Sequence, residues 1–349
     1  MKKFFLLLIA CVFASAVSAQ DQADSKRQYM VYGVAFYNLE NLFDTINANG
    51  KYDLEFSPNG AKKWDSVKYW SKINNMAQAI ASMKSDYTPL GPAVIGVAEV
   101  ENKSVLDDLV ANDQIKDLNL QVVHHDSPDR RGIDVSLLYN PDLFEVINVT
   151  NHRLTIKDDP GFLTRDHMCV TGRMGNDIVS IIVNHWPSRL GGEERSRHLR
   201  DAAAQLCKNM ADSIWNINPN QCVIIMGDLN DDPYNNSCAK VLGAKKKHNK
   251  VKKHGFYNPF WKTFDSGYGT LSYKGAWNLF DQIIVSGTLL DGNNYQLKYW
   301  RHEIVYRDFL LNQDGKYKGQ PLRTFAGGRF LNGYSDHLPS QIYLIQEVK

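Results

Sequence analysis

CVIIMGDLN, residues 222–230, is a short apolar run that stops abruptly at an acid, Asp228, and an amide, Asn230. A run of this length, β-branched and closed by Gly227, reads as a buried strand. Polar groups placed where such a strand ends stand at the rim of a sheet. The same pattern recurs at FYNLE, where Asn38 and Glu40 close an apolar run, at Glu99 after AVIGVA, and at Asp336-His337 before SQIYLIQ. Side chains at i and i+2 share a strand face, so Asn38 and Glu40 are expected to point one way, as are Asp228 and Asn230. Carboxylates and an amide are the oxygen donors that hard cations such as Mg²⁺ take. Four such strand ends on one chain point to a metal-dependent hydrolytic site assembled from distant segments.

Working outward, the runs at 31–38, 93–99, 133–140, 178–186, 222–228, 280–286 and 340–346 all have strand length and turn residues at their borders. Two segments have helical spacing instead. Over 64–84, Tyr69, Ile73, Met76, Ala77, Ile80 and Met83 recur at three and four; over 193–215, Leu199, Ala202, Ala203, Leu206, Met210 and Ile214 do so. Both stripes are expected to face the core. Many strands with a few long helices predict packed sheets covered outside by helices. Length alone would allow roughly two domains. The chain shows no linker, repeat or low-complexity divide, and residues from Asn38 to His337 must converge, so one domain over 20–349 is expected.

The first nineteen residues have the form of an export signal: Lys2 and Lys3, an apolar stretch from Phe4 to Val17, and small residues before a cleavage point after Ala19. Lipidation at Cys11 is the competing reading, disfavoured because apolar residues continue past it. A secreted or periplasmic protein is expected. Cleavage after Ala19 leaves equal numbers of basic and acidic residues, so net charge gives no support to a polyanionic partner. Cys169, Cys207, Cys222 and Cys238 form no C-x-x-C pair, which argues against a zinc ribbon or redox motif. Export permits disulfides; inert buried thiols are the alternative. Six lysines between Lys245 and Lys253 predict a mobile, solvated loop, serving solubility or, less simply, contact with a phosphate backbone.

Single motifs are ambiguous. GDLND resembles the start of a calcium loop, but Pro233 stands in place of its glycine and Ala239 in place of its bidentate acid. It also resembles a GD-x-x-D phosphoesterase element, whose D-x-H and GNH companions are absent from the sequence. The full set is more specific. N-L-E at 38–40, Glu99, N-H-W-P-S at 184–188, G-D-L-N at 227–230, Asp281 and S-D-H at 335–337 together resemble the endonuclease/exonuclease/phosphatase superfamily, the fold of DNase I and of exonuclease III-type repair nucleases. NLENLFD, RRGIDVSLLYN and YKGAWNLFDQIIVS resemble a bacterial exported branch of it.

That resemblance implies a four-layer α/β sandwich of two mainly antiparallel sheets flanked by helices. It implies that Glu99, with Glu40 and Asp336, holds a divalent metal, expected as Mg²⁺ with Mn²⁺ or Ca²⁺ as substitutes. Asn38 is then the neighbouring amide that orients ligand or phosphate. Asp228 positions or deprotonates water, and Asn230 binds the scissile phosphate. His337, held by Asp281, faces the phosphate, and His185 is a second histidine there. Glu40 departs from the aspartate of repair nucleases, and His185 from their tyrosine; the latter shifts the likeness toward DNase I and lipid-hydrolysing members.

Arg131 is a candidate phosphate clamp, with an ion pair to Asp129 or Asp134 as the alternative. Trp186, Tyr273 and Trp277 are either core residues or stacking surfaces. The expected activity is endonucleolytic hydrolysis of nucleic acid. A phosphatase or phosphodiesterase on small or lipid-linked phosphates and a non-catalytic binding protein on the same scaffold are the alternatives. No stable protein partner is expected, and the chain is expected to be a monomer.

Overall fold

The computed structural model describes residues 27–46 and 55–348; the export signal expected over 1–19 lies outside them. Twelve strands form two six-stranded sheets. In the first are β1 (Gln28–Leu42), β2 (Val94–Val100), β3 (Gln121–His124) and β4 (Asp134–Tyr139). The second takes β5 (Glu145–His152), β6 (His167–Met174), β7 (Asp177–His185), β8 (Cys222–Asp228), β9 (Phe256–Tyr257) and β10 (Asp281–Ser286). The chain then returns to the first with β11 (Lys298–Ile304) and β12 (Ser340–Val348). The orders are β11-β12-β1-β2-β4-β3 and β5-β6-β7-β8-β10-β9.

Each sheet is built around one parallel pair, β1 with β2 and β7 with β8; the remaining pairings are antiparallel. A parallel pair needs a crossover, and in both cases it is a long helix. Helix α1 (Ser66–Ala81) joins β1 to β2, and α3 (Glu193–Ile217) joins β7 to β8. Helix α2 (Lys103–Val110) follows β2 directly. Asp65 caps α1 by accepting from the Lys68 amide, and Asn102 caps α2 through the Val105 amide, each satisfying an otherwise unpaired donor.

Four layers result. Val34, Phe36, Ala98, Met226 and Ile283 fill the space between the sheets. They approach so closely that a Cβ on Gly96 would lie 2.5 Å from the Met226 sulfur. Outside the first sheet, Tyr69, Ile73, Met76, Ala77, Ile80 and Met83 are all buried, as their spacing predicts. Truncating one, Ile73→Ala for instance, costs about 2–5 kcal/mol. Outside the second sheet the expected stripe is rotated. Ser196, Arg200, Ala203, Ala204, Cys207, Met210, Ala211 and Trp215 are buried, while Leu199, Ala202, Leu206 and Ile214 flank them. The shift follows from Arg200, whose charge is matched by Asp231 at 2.7 Å and therefore sits at a core position.

The parallel strands end, and β10 and β12 begin, along one crest. Asp228 stands opposite both His185 and Asp281, and Ser340 opposite Phe36. The lysine-rich segment lies elsewhere. Lys245 is tied by backbone hydrogen bonds to Phe256 and Asn258, and Phe256 pairs with Ser286 at the far end of β10. The segment is thus anchored rather than untethered, with its lysines exposed. Cys169, Cys207, Cys222 and Cys238 are all free and buried.

Candidate active site

The crest is shaped by a local departure from strand geometry. Glu40, Asn41, Glu99 and Asn230 all have positive φ, between 50° and 62°, a region costly for residues other than glycine. The β1–β2 register breaks between Asn38 and Leu42, and the β2–β4 register breaks between Ala98 and Val100. The i, i+2 rule therefore does not place these side chains; left-handed turns at the strand ends do. Asn38 and Glu40 diverge in their contacts as a result.

Asn38 reaches across to the other sheet, where its amide donates to Asp228 Oδ2 at 3.0 Å, while its own Oδ1 accepts from the Glu40 amide. Asp228 also takes the Asn230 amide on Oδ1. Two histidines face it, His185 Nε2 at 3.5 Å and His337 Nε2 at 3.8 Å. His337 Nδ1 lies 2.7 Å from Asp281 Oδ2, and Asp228, Asp281 and His337 form one buried cluster. Ser335 fixes the C-terminal segment against β1: its hydroxyl donates to the Asn38 carbonyl and accepts from the His337 amide. Asn230 directs its amide nitrogen to the Trp186 carbonyl at 3.0 Å.

The electrostatics differ sharply between the imidazoles. Burial opposes charge on His337, but Asp281 and Asp228 outweigh it and hold its pKa well above the ordinary value. His185 also faces Asp228, but no carboxylate contacts its Nδ1 as Asp281 does that of His337, and burial, with Arg165 and Arg131, holds its pKa well below the ordinary value. Burial raises the Asp228 carboxyl to about 6, against the pull of His337.

A second group of acids lies alongside. Glu40 accepts from Arg323 Nε at 3.1 Å and from the Thr324 amide at 2.7 Å, with Lys72 Nζ 4.0 Å away. Arg323 also reaches Asp336 at 2.5 Å. Burial and repulsion from Asp336 raise Glu40 to about 7 despite both cations. Glu99 takes the Asn41 amide on Oε2. Its Oε1 has no hydrogen bond among the described residues; Arg131 Nη2 is 3.6 Å and His185 Nε2 3.9 Å away. Arg131 thus leans on Glu99 as well as on Asp129, while Asp134 pairs with Ser127. Glu40, Glu99 and Asp336 do not group as tightly as the Asp228 cluster among the described residues. Oxygen donors, one of them an open carboxylate oxygen beside two repelling acids, fit a hard divalent cation.

Several contributors escape a sequence reading. Lys72 is fully buried and donates to Thr324 Oγ1; its place in the apolar stripe of α1 was the available signal. Arg165 is buried and donates to the carbonyls of His185 and Trp186 and to Asp129, and Arg323 lies in an irregular segment without periodicity. Asp231 and Asp232 form no calcium loop: Arg189 and Arg200 neutralise them. Trp186 is core, Tyr273 is exposed, and Trp277 lines a groove of 380 Å³ with Tyr268 and Tyr306.

The fold is similar to that of truncated TDP2 from Caenorhabditis elegans, at 15% identity and a TM-score of 0.52, covering 90% of this chain and 97% of that one. It is similar to Danio rerio TDP2 complexed with a single-strand DNA product, at 11% identity and 0.52, covering 90% and 98%. A mannosyl-6-phosphatase from Bacteroides thetaiotaomicron gives 15% and 0.52, covering 90% and 99%. No curated protein matches the chain in sequence. Residues 33–346, which carry both sheets except the outer ends of β1 and β12 and include every residue of the crest, match the endonuclease/exonuclease/phosphatase family, and the chain belongs to that family of metal-dependent phosphoric ester hydrolases.

Proposed function

We propose that the chain is an exported, Mg²⁺-dependent phosphodiesterase, acting as one domain over 20–349, that cuts nucleic acid internally by direct attack of water. One observation carries the chemistry: Asp228 stands between His185, whose pKa burial lowers, and His337, whose pKa Asp281 and Asp228 raise. Asp228, oriented by Asn38, accepts a proton from water. His337 presents Nε2–H to charge growing on the phosphate, where a prearranged donor is most effective. Asn230 and Arg131 position the ester. A cation at Glu99, supported by Glu40 and Asp336, would polarise a phosphoryl oxygen when bound.

For the substrate, the aromatic groove of Tyr268, Trp277 and Tyr306 adjoins the site, because Leu271, which opens the hairpin 271–278 carrying Trp277, pairs with His337. Aromatic faces beside a phosphate site suit bases, and one similar structure holds a DNA product. A smaller phosphate ester is the second reading. It is favoured by the remoteness of the lysine segment from the crest and by a 190 Å³ cleft beside Glu40 lined by Lys62 and Arg323. Export rests on the sequence of residues 1–19.

The test is incubation with plasmid DNA, RNA, phospholipids and sugar phosphates, with Mg²⁺ and with EDTA. Nicking of plasmid that EDTA abolishes is expected. Release of phosphate from the small esters alone would overturn the nucleic-acid assignment, and no turnover of any substrate would overturn the hydrolase.

A further inference from the structure

A second constellation of ligating groups, sharing no residue with the crest, lies at the two ends of the loop 125–133, where Asp134 stands opposite Val100 beside Glu99. His124 closes β3 and Asp134 opens β4, adjacent antiparallel strands in which His124 stands opposite Ser136. We propose that His124, Asp126 and Asp134 bind a divalent transition-metal ion of the Zn²⁺ class. His124 Nε2 lies 3.0 Å from Asp126 Oδ1 and 3.5 Å from Asp134 Oδ2, and the three donor atoms fall within 4.8 Å of one another. Donors around a tetrahedral ion with bonds near 2.0–2.2 Å stand roughly 3.3 Å apart, so the groups need little movement to enclose one.

Two features separate this cluster from an ordinary surface ion pair. His124 Nδ1 lies 2.7 Å from Ser136 Oγ. With Nδ1–H donating there, the Nε2 lone pair turns to Asp126 and Asp134, the outer support that ligating histidines have. Independently, Asp134 is only 3% exposed, and its Oδ1 is taken by the amide and hydroxyl of Ser127. Its Oδ2 has no hydrogen bond among the described residues and points at His124. One imidazole with two carboxylates suits Zn²⁺ or Mn²⁺ rather than Ca²⁺, with water filling the open positions. An ion here would clasp the loop that carries Arg131 toward Glu99 and Asp129 toward Arg165.

Calorimetric titration of metal-free Glu99→Gln protein with Zn²⁺ tests this apart from the catalytic crest. One equivalent is expected to bind. Adding Asp126→Asn, whose exposed side chain can change without disturbing the fold, should weaken binding at least about tenfold, as should adding His124→Gln. Absence of binding by Glu99→Gln, or unchanged affinity in both double variants, overturns the site.

Discussion

The crest has two halves, and they balance charge in opposite ways. Around Asp228 the chain supplies its own cation: Asp281 and Asp228 raise the pKa of His337, and each of these carboxylates has one partner within the cluster, although Asp281 Oδ1 is buried without a hydrogen bond among the described residues. Around Glu40, Asp336 and Glu99 the chain's cations fall short. Arg323 and Lys72 contact Glu40, yet its pKa still rises to about 7, and one Glu99 oxygen has no donor among the described residues. In the proposed function the first half moves a proton and the second takes the added charge of a metal ion. A buried site stores this distinction because a low dielectric magnifies each unmatched charge.

The largest effects should come from the self-sufficient half. Asp228→Ala and His337→Ala are each expected to lower kcat/KM by ~10²–10⁴-fold, and no Mg²⁺ concentration should restore it; steady-state rates across a metal titration check this. Glu99→Gln belongs to the other half, so its activity should recover in part as Mg²⁺ rises. Its half-saturating concentration should increase by ~10–100-fold, the scale of losing support for a metal. Equal behaviour of the two classes would erase the distinction between the halves.

Asp281→Asn sharpens the comparison at lower cost. Without that carboxylate, burial prevails and His337 loses its proton at lower pH. NMR titration of the imidazole should show the downward shift, and activity should fall earlier on the alkaline side. Asp228 titrating near 6 sets the opposite limb: it must be ionised to accept a proton, so kcat/KM should rise as pH passes 6.

Stability should follow the unmatched acids. Asp228 and Glu40 have folded pKa values of about 6 and about 7, above their unfolded values. The native state therefore binds more protons, and metal-free stability is greatest below about pH 4 on their account and declines through pH 7. Mg²⁺ should raise Tm more at pH 7 than at pH 5. The smallest effect is expected from Arg323→Ala. Arg323 is half exposed and screened, so its loss should cost no more than ~1 kcal/mol while raising the Mg²⁺ requirement a few-fold.

Much of the fold was legible because central strands are buried on both faces. CVIIMGD and IVSIIVNH read as continuous apolar runs, and each is a strand at that place. Edge strands carry no such mark. β5, EVINVTNH, is largely exposed, and β11 bears Trp300 and Arg301 outward, so polar residues interrupt any period. Helix α3 was found, but its stripe was phased on Leu199 and Ile214 because a charged Arg200 hides a core position. At the crest, polar residues that directly follow an apolar run gave themselves away, as with Asp228. Arg323, Lys72 and Arg165 did not, since Arg323 and Lys72 act through Glu40 and Thr324, respectively 283 and 252 positions away, and Arg165 through backbone carbonyls that leave no mark on the pattern.

Plasmid relaxation at pH 8 with Mg²⁺, comparing the unaltered chain with Asp228→Asn, addresses the assembled site most directly. The two-sheet crest predicts a rate at least ~10²-fold lower for the variant, with Tm nearly unchanged. Relaxation at the unaltered rate by Asp228→Asn would contradict it.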